Sequence, residues 1–361
     1  MQNKPDKLSL EDIGYSDFFD DHYKNRFDEN LTPARIIAEH KERYVVRNDT
    51  HELPAKITGK SIHRALSRED YPAVGDWVLI TVPDETQAII HEILPRRTTL
   101  KRKSADNSDI QIIASNIDTA FILQSPDRDY SLNRFERYIT LAESENIQPV
   151  IILNKTDLIS ERDLEIKISE ISNRFKNIEM HTTSTVTGKG IGELAKSIKQ
   201  GLTYCFLGSS GVGKSSIINV ILGKNLMETA EISSSTNRGR HITTHRELFI
   251  LEKGGILVDN PGMREIGILD SDTGITSVFS EIYNLSKNCR YSDCNHTWEP
   301  GCAVLKAVNS GDLDKSRYDN YTKLVKENEY NTMSTQEKRR KDKNFGKFIK
   351  TAKKDIKRYK A

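Results

Sequence analysis

Hydrophobic positions along the chain change their rhythm once, sharply, near residue 112. Before that point, from about Leu31 to Arg102, short apolar-polar alternations recur at Ala34 to Ala38, Arg43 to Arg47, Ala55 to Ile62, Asp76 to Thr81 and Gln87 to Ile93. Turn signals such as Asn48-Asp49 and Val74-Gly75-Asp76 separate them. A period of two bounded by such residues marks strands. About five short strands with no long helix between them predict a small barrel, with the OB-fold as the leading candidate and an SH3-like or other small β-barrel as the alternative. The polar segment Lys101 to Asp109 reads as the linker out of it.

From Ile112 onward, strand patterns alternate with helical ones. Asp118 to Gln124, Gln148 to Leu153, Thr203 to Leu207, Glu247 to Leu251 and Gly255 to Val258 predict strands. Arg134 to Glu145, Glu161 to Phe175, Ile191 to Lys199 and Lys214 to Leu222 predict helices. That alternation folds as a parallel α/β sheet. After Gly262 no strand pattern follows. The first 30 residues hold eight acids against four bases, with a helix expected near Tyr15 to Arg26. The expected organisation is an extension over 1–30, a barrel over 31–105, an α/β domain over 110–270, a helical domain over 271–337 and a tail over 338–361.

Composition changes this picture little, but charge distribution does. A chain of 361 residues, 36% hydrophobic and 29% charged, fits two or three globular domains. No apolar run approaches the ~20 residues of a bilayer span. The N-terminus lacks the apolar core of a secretory signal and is acidic, unlike a transit peptide, so the expected compartment is the cytosol, with no membrane partner. The net charge of +2 conceals a tail over 338–361 with twelve Lys and Arg against Asp342 and Asp355, a local +10. Two readings are open: a solvated, partly helical tail, or a contact to a phosphate backbone. Phe345, Phe348 and Tyr359 either stack on bases or simply pack.

Candidate chemistry centres on Gly208-Ser209-Ser210-Gly211-Val212-Gly213-Lys214-Ser215, with Ser216 following. It matches the phosphate-loop pattern and sits between an apolar strand and an amphipathic helix, the context this motif requires. Its glycines let backbone N–H groups face phosphate oxygens, and the helix N-terminus adds a favourable dipole. Lys214 is the candidate for reaching the β and γ phosphates, and Ser215 the candidate Mg²⁺ ligand. The candidate reader of guanine is Asn154-Lys155-Thr156-Asp157, which resembles the Asn-Lys-x-Asp motif of translation-factor-type GTPases. Alone, that tetrapeptide also makes an ordinary turn. Beside the phosphate loop it argues for GTP and against a kinase or other ATP enzyme. Thr183-Ser184-Thr185, with Gly188 and Gly190, resembles a further guanine-side loop.

Asp259-Asn260-Pro261-Gly262 resembles the Asp-x-x-Gly element, with Asp259 on the Mg²⁺ side and Gly262 at the γ-phosphate. Thr243 and Thr244, in Gly239-Arg240-His241-Ile242-Thr243-Thr244, are both candidates for closing on Mg²⁺, or this stretch is a plain polar loop. In standard GTPases the phosphate loop comes first. Here Asp157 precedes Gly208 and Asp259 comes last, so the expected domain is a circularly permuted GTPase. Cys289, Cys294, His296 and Cys302 then supply a Cys3His set suited to one structural Zn²⁺, the alternative being coincidental clustering of thiols. Cys205, in a strand, reads as a small core residue.

Together these features resemble the circularly permuted ribosome small-subunit-dependent GTPase A family over about residues 31 to 302. Beyond the generic motifs, Gly75-Asp76-Trp77-Val78, Leu94-Pro95-Arg96-Arg97-Thr98, Asn116-Ile117-Asp118, Gly239-Arg240-His241 and the Cys-Cys-His-Cys spacing carry the resemblance. It implies binding to the small ribosomal subunit late in maturation, contact with its rRNA through barrel and zinc domains, and GTP hydrolysis stimulated there; the alternative is a GTP-gated RNA-binding protein acting on a non-ribosomal RNA. It also implies that His241 orients the attacking water, since Met263 stands where many GTPases place a glutamine; a structural role for His241 is the alternative. Ile242 departs from the family, which often has another threonine there. A monomer cycling between GTP and GDP is expected.

Overall fold

The computed structural model describes the chain except residues 1–7, 25–29, 41–42, 85, 104–109, 128–129, 224–245, 253, 260–270, 335, 342, 344–348 and 350–361, and except the side chains of Lys103, Arg246 and Asp259. The chain forms two units, residues 1–104 with 109–267, and residues 105–108 with 268–361.

In the first unit, helix α1 (Asp17–Lys24) precedes strands β1 (Thr32–His40), β2 (Arg43–Arg47) and β3 (Glu52–Ile57). Helix α2 (Gly59–Arg64) then leads to β4 (Trp77–Thr81) and β5 (Ala88–Ile93). β1 pairs antiparallel with β2, β2 with β3, β5 with β4 and β4 with β1, while β3 runs parallel to β5. These pairings close a five-stranded ring with a helix between its third and fourth strands, which selects the OB-fold over the SH3-like alternative. Inward residues fill it: Ile36, Tyr44, Val46, Val78, Ile80 and Ile90 are buried.

The strand expected over Ala55 to Ile62 ends instead at Ile57. Thr58 turns the chain by accepting from the Ser61 amide at 3.2 Å, so Gly59 onward is helix. The segment expected as linker also begins as a strand: β6 (Thr99–Lys103) pairs antiparallel with β7 (Ile110–Ser115). Leu100 is buried while Lys101 and Arg102 beside it are only partly so, a half-buried strand whose polar members disguised it.

The α/β region follows as β8 (Thr119–Gln124), α3 (Leu132–Ser144), β9 (Gln148–Leu153), α4 (Glu161–Arg174), β10 (Glu179–Thr182), α5 (Ile191–Ser197), β11 (Thr203–Gly208), α6 (Lys214–Leu222), β12 (Arg246–Ile250) and β13 (Ile256–Asp259). The strand order is β10-β9-β8-β11-β13-β12, parallel except for β12. β12 also pairs with β1, so the barrel and the α/β sheet share one continuous sheet.

The acidic extension is built into this unit. Ile13 and Phe19 are fully buried against Trp77, Leu79 and Leu94. Arg35 on β1, also fully buried, donates to Ile13 O (2.6 Å), Gly75 O (3.2 Å), Asn116 O (3.3 Å) and Thr203 Oγ1 (2.9 Å). Burial pulls its guanidinium down to about 10, against the opposing charge of Asp118, so it stays protonated at neutral pH. One cation therefore pins the extension, the barrel and the starts of β8 and β11 together. Beside it, Asp76 binds Arg96 through both carboxylate oxygens at 2.8 and 2.7 Å.

The second unit contains α7 (Asp272–Val278), α8 (Ser280–Ser286), α9 (Ala303–Ser310) and α10 (Lys315–Thr332) around Phe279, Ile282, Val304 and Leu324. No helix among the described residues is long and apolar enough to cross a membrane.

Candidate nucleotide site and metal centre

β11 is buried along its whole length and ends at Gly208, where the chain must pass close to its neighbour. A Cβ on Gly208 would lie 2.4 Å from Leu123 O. The loop closes at Gly213, whose φ of +98° lies in the left-handed region and whose Cβ would strike Asn154 Nδ2 at 2.3 Å. Only glycine fits either position. Between them the backbone wraps the Lys214 ammonium, which donates to Gly208 O and Ser209 O at 2.7 Å each. Ser215 and Ser216 follow in the first turn of α6, half-buried. Loop, lysine and helix start thus converge as an anion cradle.

Asn154, at the end of β9, is fully buried. Its Nδ2 donates to Val212 O at 2.8 Å, and its Oδ1 accepts from Thr183 Oγ1 at 3.0 Å. One amide therefore ties the phosphate loop to the loop after β10. Lys155 adopts a left-handed φ of +61°, unusual for a side-chain-bearing residue. Asp157 is exposed, and its carboxylate accepts the Ser184 hydroxyl. The Ser184 loop is itself closed by Ser184 N to Lys189 O and Gly188 N to Ser184 O, both 2.9 Å. Gly190 is required there because a Cβ would meet Thr182 O at 1.9 Å. Asn154, Asp157, Ser184 and the phosphate loop, far apart in sequence, are thus linked by hydrogen bonds; Thr185, half-buried, lies in the same loop.

β13 pairs parallel with β11, Cys205 opposite Val258, which sets the backbone of Asp259 one strand from the phosphate loop. His241, Thr243, Thr244, Gly262 and Met263 lie outside the described residues. A cavity of about 650 Å³ lies in the barrel beside α2 and β5, away from these groups. The glycine loop around Lys214 and the buried Asn154 amide, rather than enclosure, mark the candidate nucleotide site.

In the second unit, Cys289, Cys294, His296 and Cys302 place their ligand atoms within 4.8 Å of one another. Cys289 Sγ lies 3.9 Å from Cys302 Sγ, and His296 Nδ1 lies 3.6 and 3.5 Å from those two sulfurs. A tetrahedral ion with Zn–S near 2.3 Å and Zn–N near 2.0 Å needs S···S and S···N edges of about 3.8 and 3.6 Å. The donor set fits a metal ion. Burial holds the His296 imidazole below its ordinary value, favouring the neutral form that offers a lone pair. Amides support the sulfurs: Ala303 N donates to Cys289 Sγ and Leu305 N to Cys302 Sγ, both at 3.4 Å.

Sequence reading missed Glu299, whose carboxylate accepts the amides of Asn295, Thr297 and Trp298 at 2.9 to 3.0 Å and shapes the metal loop. It missed Tyr318 too, whose hydroxyl donates to His296 O. An acid just before Pro300-Gly301-Cys302 was the available signal for the first. Nothing local marked the second.

A family model described as RsgA GTPase matches residues 93–269. The chain is 40% identical over 358 residues to small ribosomal subunit biogenesis GTPase RsgA 1 of Bacteroides thetaiotaomicron, covering 98% of this chain and 99% of that one. It is 39% identical over 335 residues to the protein named small ribosomal subunit biogenesis GTPase RsgA in Opitutus terrae, with 90% of each covered. Among solved structures, YjeQ from Thermotoga maritima aligns with a TM-score of 0.61 and 26% identity, over 81% of this chain and 97% of that one. YloQ, described as a circularly permuted GTPase, aligns at 0.59 and 23% over 86% of this chain and 99% of that one, a likeness of fold.

Proposed function

The chain belongs to the RsgA GTPase family, and on that premise we propose that it hydrolyses GTP in small-ribosomal-subunit biogenesis, the role its relatives' names carry, and acts at a late step of it. The observation that carries the reading is the Asn154 amide, which joins a guanine-side motif to a phosphate loop arriving later in the chain.

On this reading the Gly208 to Ser216 backbone and Lys214 hold the β and γ phosphates, and Asp157, oriented by Ser184, accepts two hydrogen bonds from the guanine edge. A site built around that donor pattern rejects adenine because its carboxylate would be left unpaired. Mg²⁺, when held by Ser215 and the Asp259 side, neutralises charge on the phosphates. Water, oriented by His241, attacks the γ-phosphorus in line as its bond to the β–γ bridging oxygen breaks, giving phosphate and GDP, with Thr243 or Thr244 closing the loop. We assign one structural Zn²⁺ to Cys289, Cys294, His296 and Cys302, a cytoplasmic location and a monomeric state. The barrel, the zinc unit and the basic tail are the RNA-facing parts.

Cosedimentation with small ribosomal subunits tests this directly. Binding should be strong with a non-hydrolysable GTP analogue and weak with GDP. Equal recovery in both nucleotide states, or none in either, would overturn the reading.

A further inference from the structure

Trp298 stands in the metal loop with 80% of its surface exposed, an unusual place for the largest apolar side chain. Its backbone, by contrast, is held on both sides. Glu299 gathers the amides of Asn295, Thr297 and Trp298. His296 takes a left-handed φ of +57° with its carbonyl bound by Tyr318, and Arg290 N donates to Gly301 O at 3.1 Å across the loop. The loop is rigid where it carries the tryptophan, so little entropy is lost when the ring meets a partner. Two more rings of this region are exposed, Tyr283 at 47% and Tyr291 at 42%. Each has a cation over it: Lys287 Nζ lies 4.5 Å from the Tyr283 centroid and Arg290 Cζ 5.5 Å from that of Tyr291. Cys294 N donates to Tyr291 O, tying Tyr291 to the same loop.

An apolar protein partner would favour a contiguous hydrophobic patch without charges at its centre. Aromatic rings interleaved with Lys and Arg are instead the surface that binds unpaired nucleotides, bases on the rings and phosphates on the cations. The cationic surplus of the C-terminal part lies in residues 338–361, which hold twelve Lys and Arg against two Asp, while residues 268–337, which carry these rings, hold seven Lys and Arg against eleven Asp and Glu. We propose that Trp298, in the metal loop to which the backbones of Tyr291 and Arg290 are bonded, is a stacking platform for an unpaired nucleobase of the RNA partner. This rests on the ribosomal reading above and adds to it a contact residue and a mode of contact.

The chain's two tryptophans make the test direct, because Trp77 is fully buried and serves as an internal reference. The intact protein is titrated with an unstructured oligoribonucleotide and with a duplex RNA of equal charge, following tryptophan emission. The single strand should quench Trp298 emission and the duplex should not. Trp298→Ala should weaken single-strand affinity about tenfold and Trp298→Phe should restore most of it, the scale of one stacked base. Bound zinc in both variants should match wild type, which separates stacking from folding. Equal quenching by duplex, or unchanged affinity in Trp298→Ala, overturns the platform. If Trp298→Ala loses cosedimentation with small subunits while oligoribonucleotide never quenches the wild type, the tryptophan contacts protein and the proposal falls. If wild type fails to sediment at all, the ribosomal reading fails instead.

Discussion

Replacing Asn154 with alanine tests the link on which the nucleotide site rests. The side chain is fully buried and makes two hydrogen bonds, to Val212 O at 2.8 Å and from Thr183 Oγ1 at 3.0 Å. Alanine leaves both partners unpaired, and each buried group without a partner costs about 1–3 kcal/mol. The loss should be about 2–5 kcal/mol if the site stays dry, and toward the lower end if water enters from the phosphate side. Stability is only part of the effect. Val212 O belongs to the loop whose amides must converge on phosphate, so freeing it disorders the cradle. Affinity for a fluorescent GDP analogue should fall at least tenfold, about 1.4 kcal/mol. Asn154→Asp keeps the shape but sets a carboxylate oxygen against the Val212 carbonyl, and should be worse for binding. Urea unfolding and nucleotide titration on the same preparations separate the two effects. If Asn154→Ala loses stability yet binds within threefold of wild type, the residue braces the core and does not align the site.

Three further outcomes are expected. Asp157→Asn should weaken GTP binding and shift preference toward xanthosine triphosphate, whose edge offers a carbonyl to the new amide; unchanged GTP affinity in a competition titration would remove Asp157 from base recognition. Cys294→Ser should lower zinc below one per chain by elemental analysis and destabilise the second unit, because metal binding is part of its folding energy; a full complement of zinc would exclude Cys294 as a ligand. His241→Ala should leave nucleotide affinity near wild type while cutting subunit-stimulated turnover by about 10² or more, as expected for a group acting in the transition state; turnover within about threefold of wild type would make the histidine structural.

The sequence made legible those parts whose chemistry is local. The phosphate loop and α6 stand where the Gly and Lys spacing put them, since a loop that cradles phosphate constrains its own residues. β9 has the bounds its apolar run implied. Elements made by pairing were not legible. β10 is four residues of Glu-Met-His-Thr, none fully buried, and is a strand because β9 aligns it. The α2 start fell inside the strand expected over Ala55 to Ile62, with glycine in its first helical position, and depends on the Thr58 cap. Arg35 was invisible for the same reason: it looks like a polar outlier in an apolar strand until residues 13, 75, 116 and 203 bring their oxygens to it. The acidic extension hid two core residues, Ile13 and Phe19, because their apolar partners come from the barrel.

Two of the ties between barrel and α/β sheet, Arg35 and the β1–β12 pairing, differ in strength, and that difference bears on how a nucleotide-dependent change would spread. Arg35 joins them through four bonds from one buried charge, and breaking such a contact strands several carbonyls at once. Among the described residues, β1 and β12 are joined through two residue pairs, Ala38 with Glu247 and Glu39 with Arg246. Net worth per main-chain hydrogen bond is about 1 kcal/mol, so that seam opens or slides far more readily than the arginine releases. β12 begins two residues after Thr244, and its other neighbour, β13, ends at Asp259. The circular permutation thus leaves both candidate γ-phosphate-sensing stretches next to strands at the weak seam, while the base-reading side, Asn154 to Asp157, sits across β8 and β11 from it.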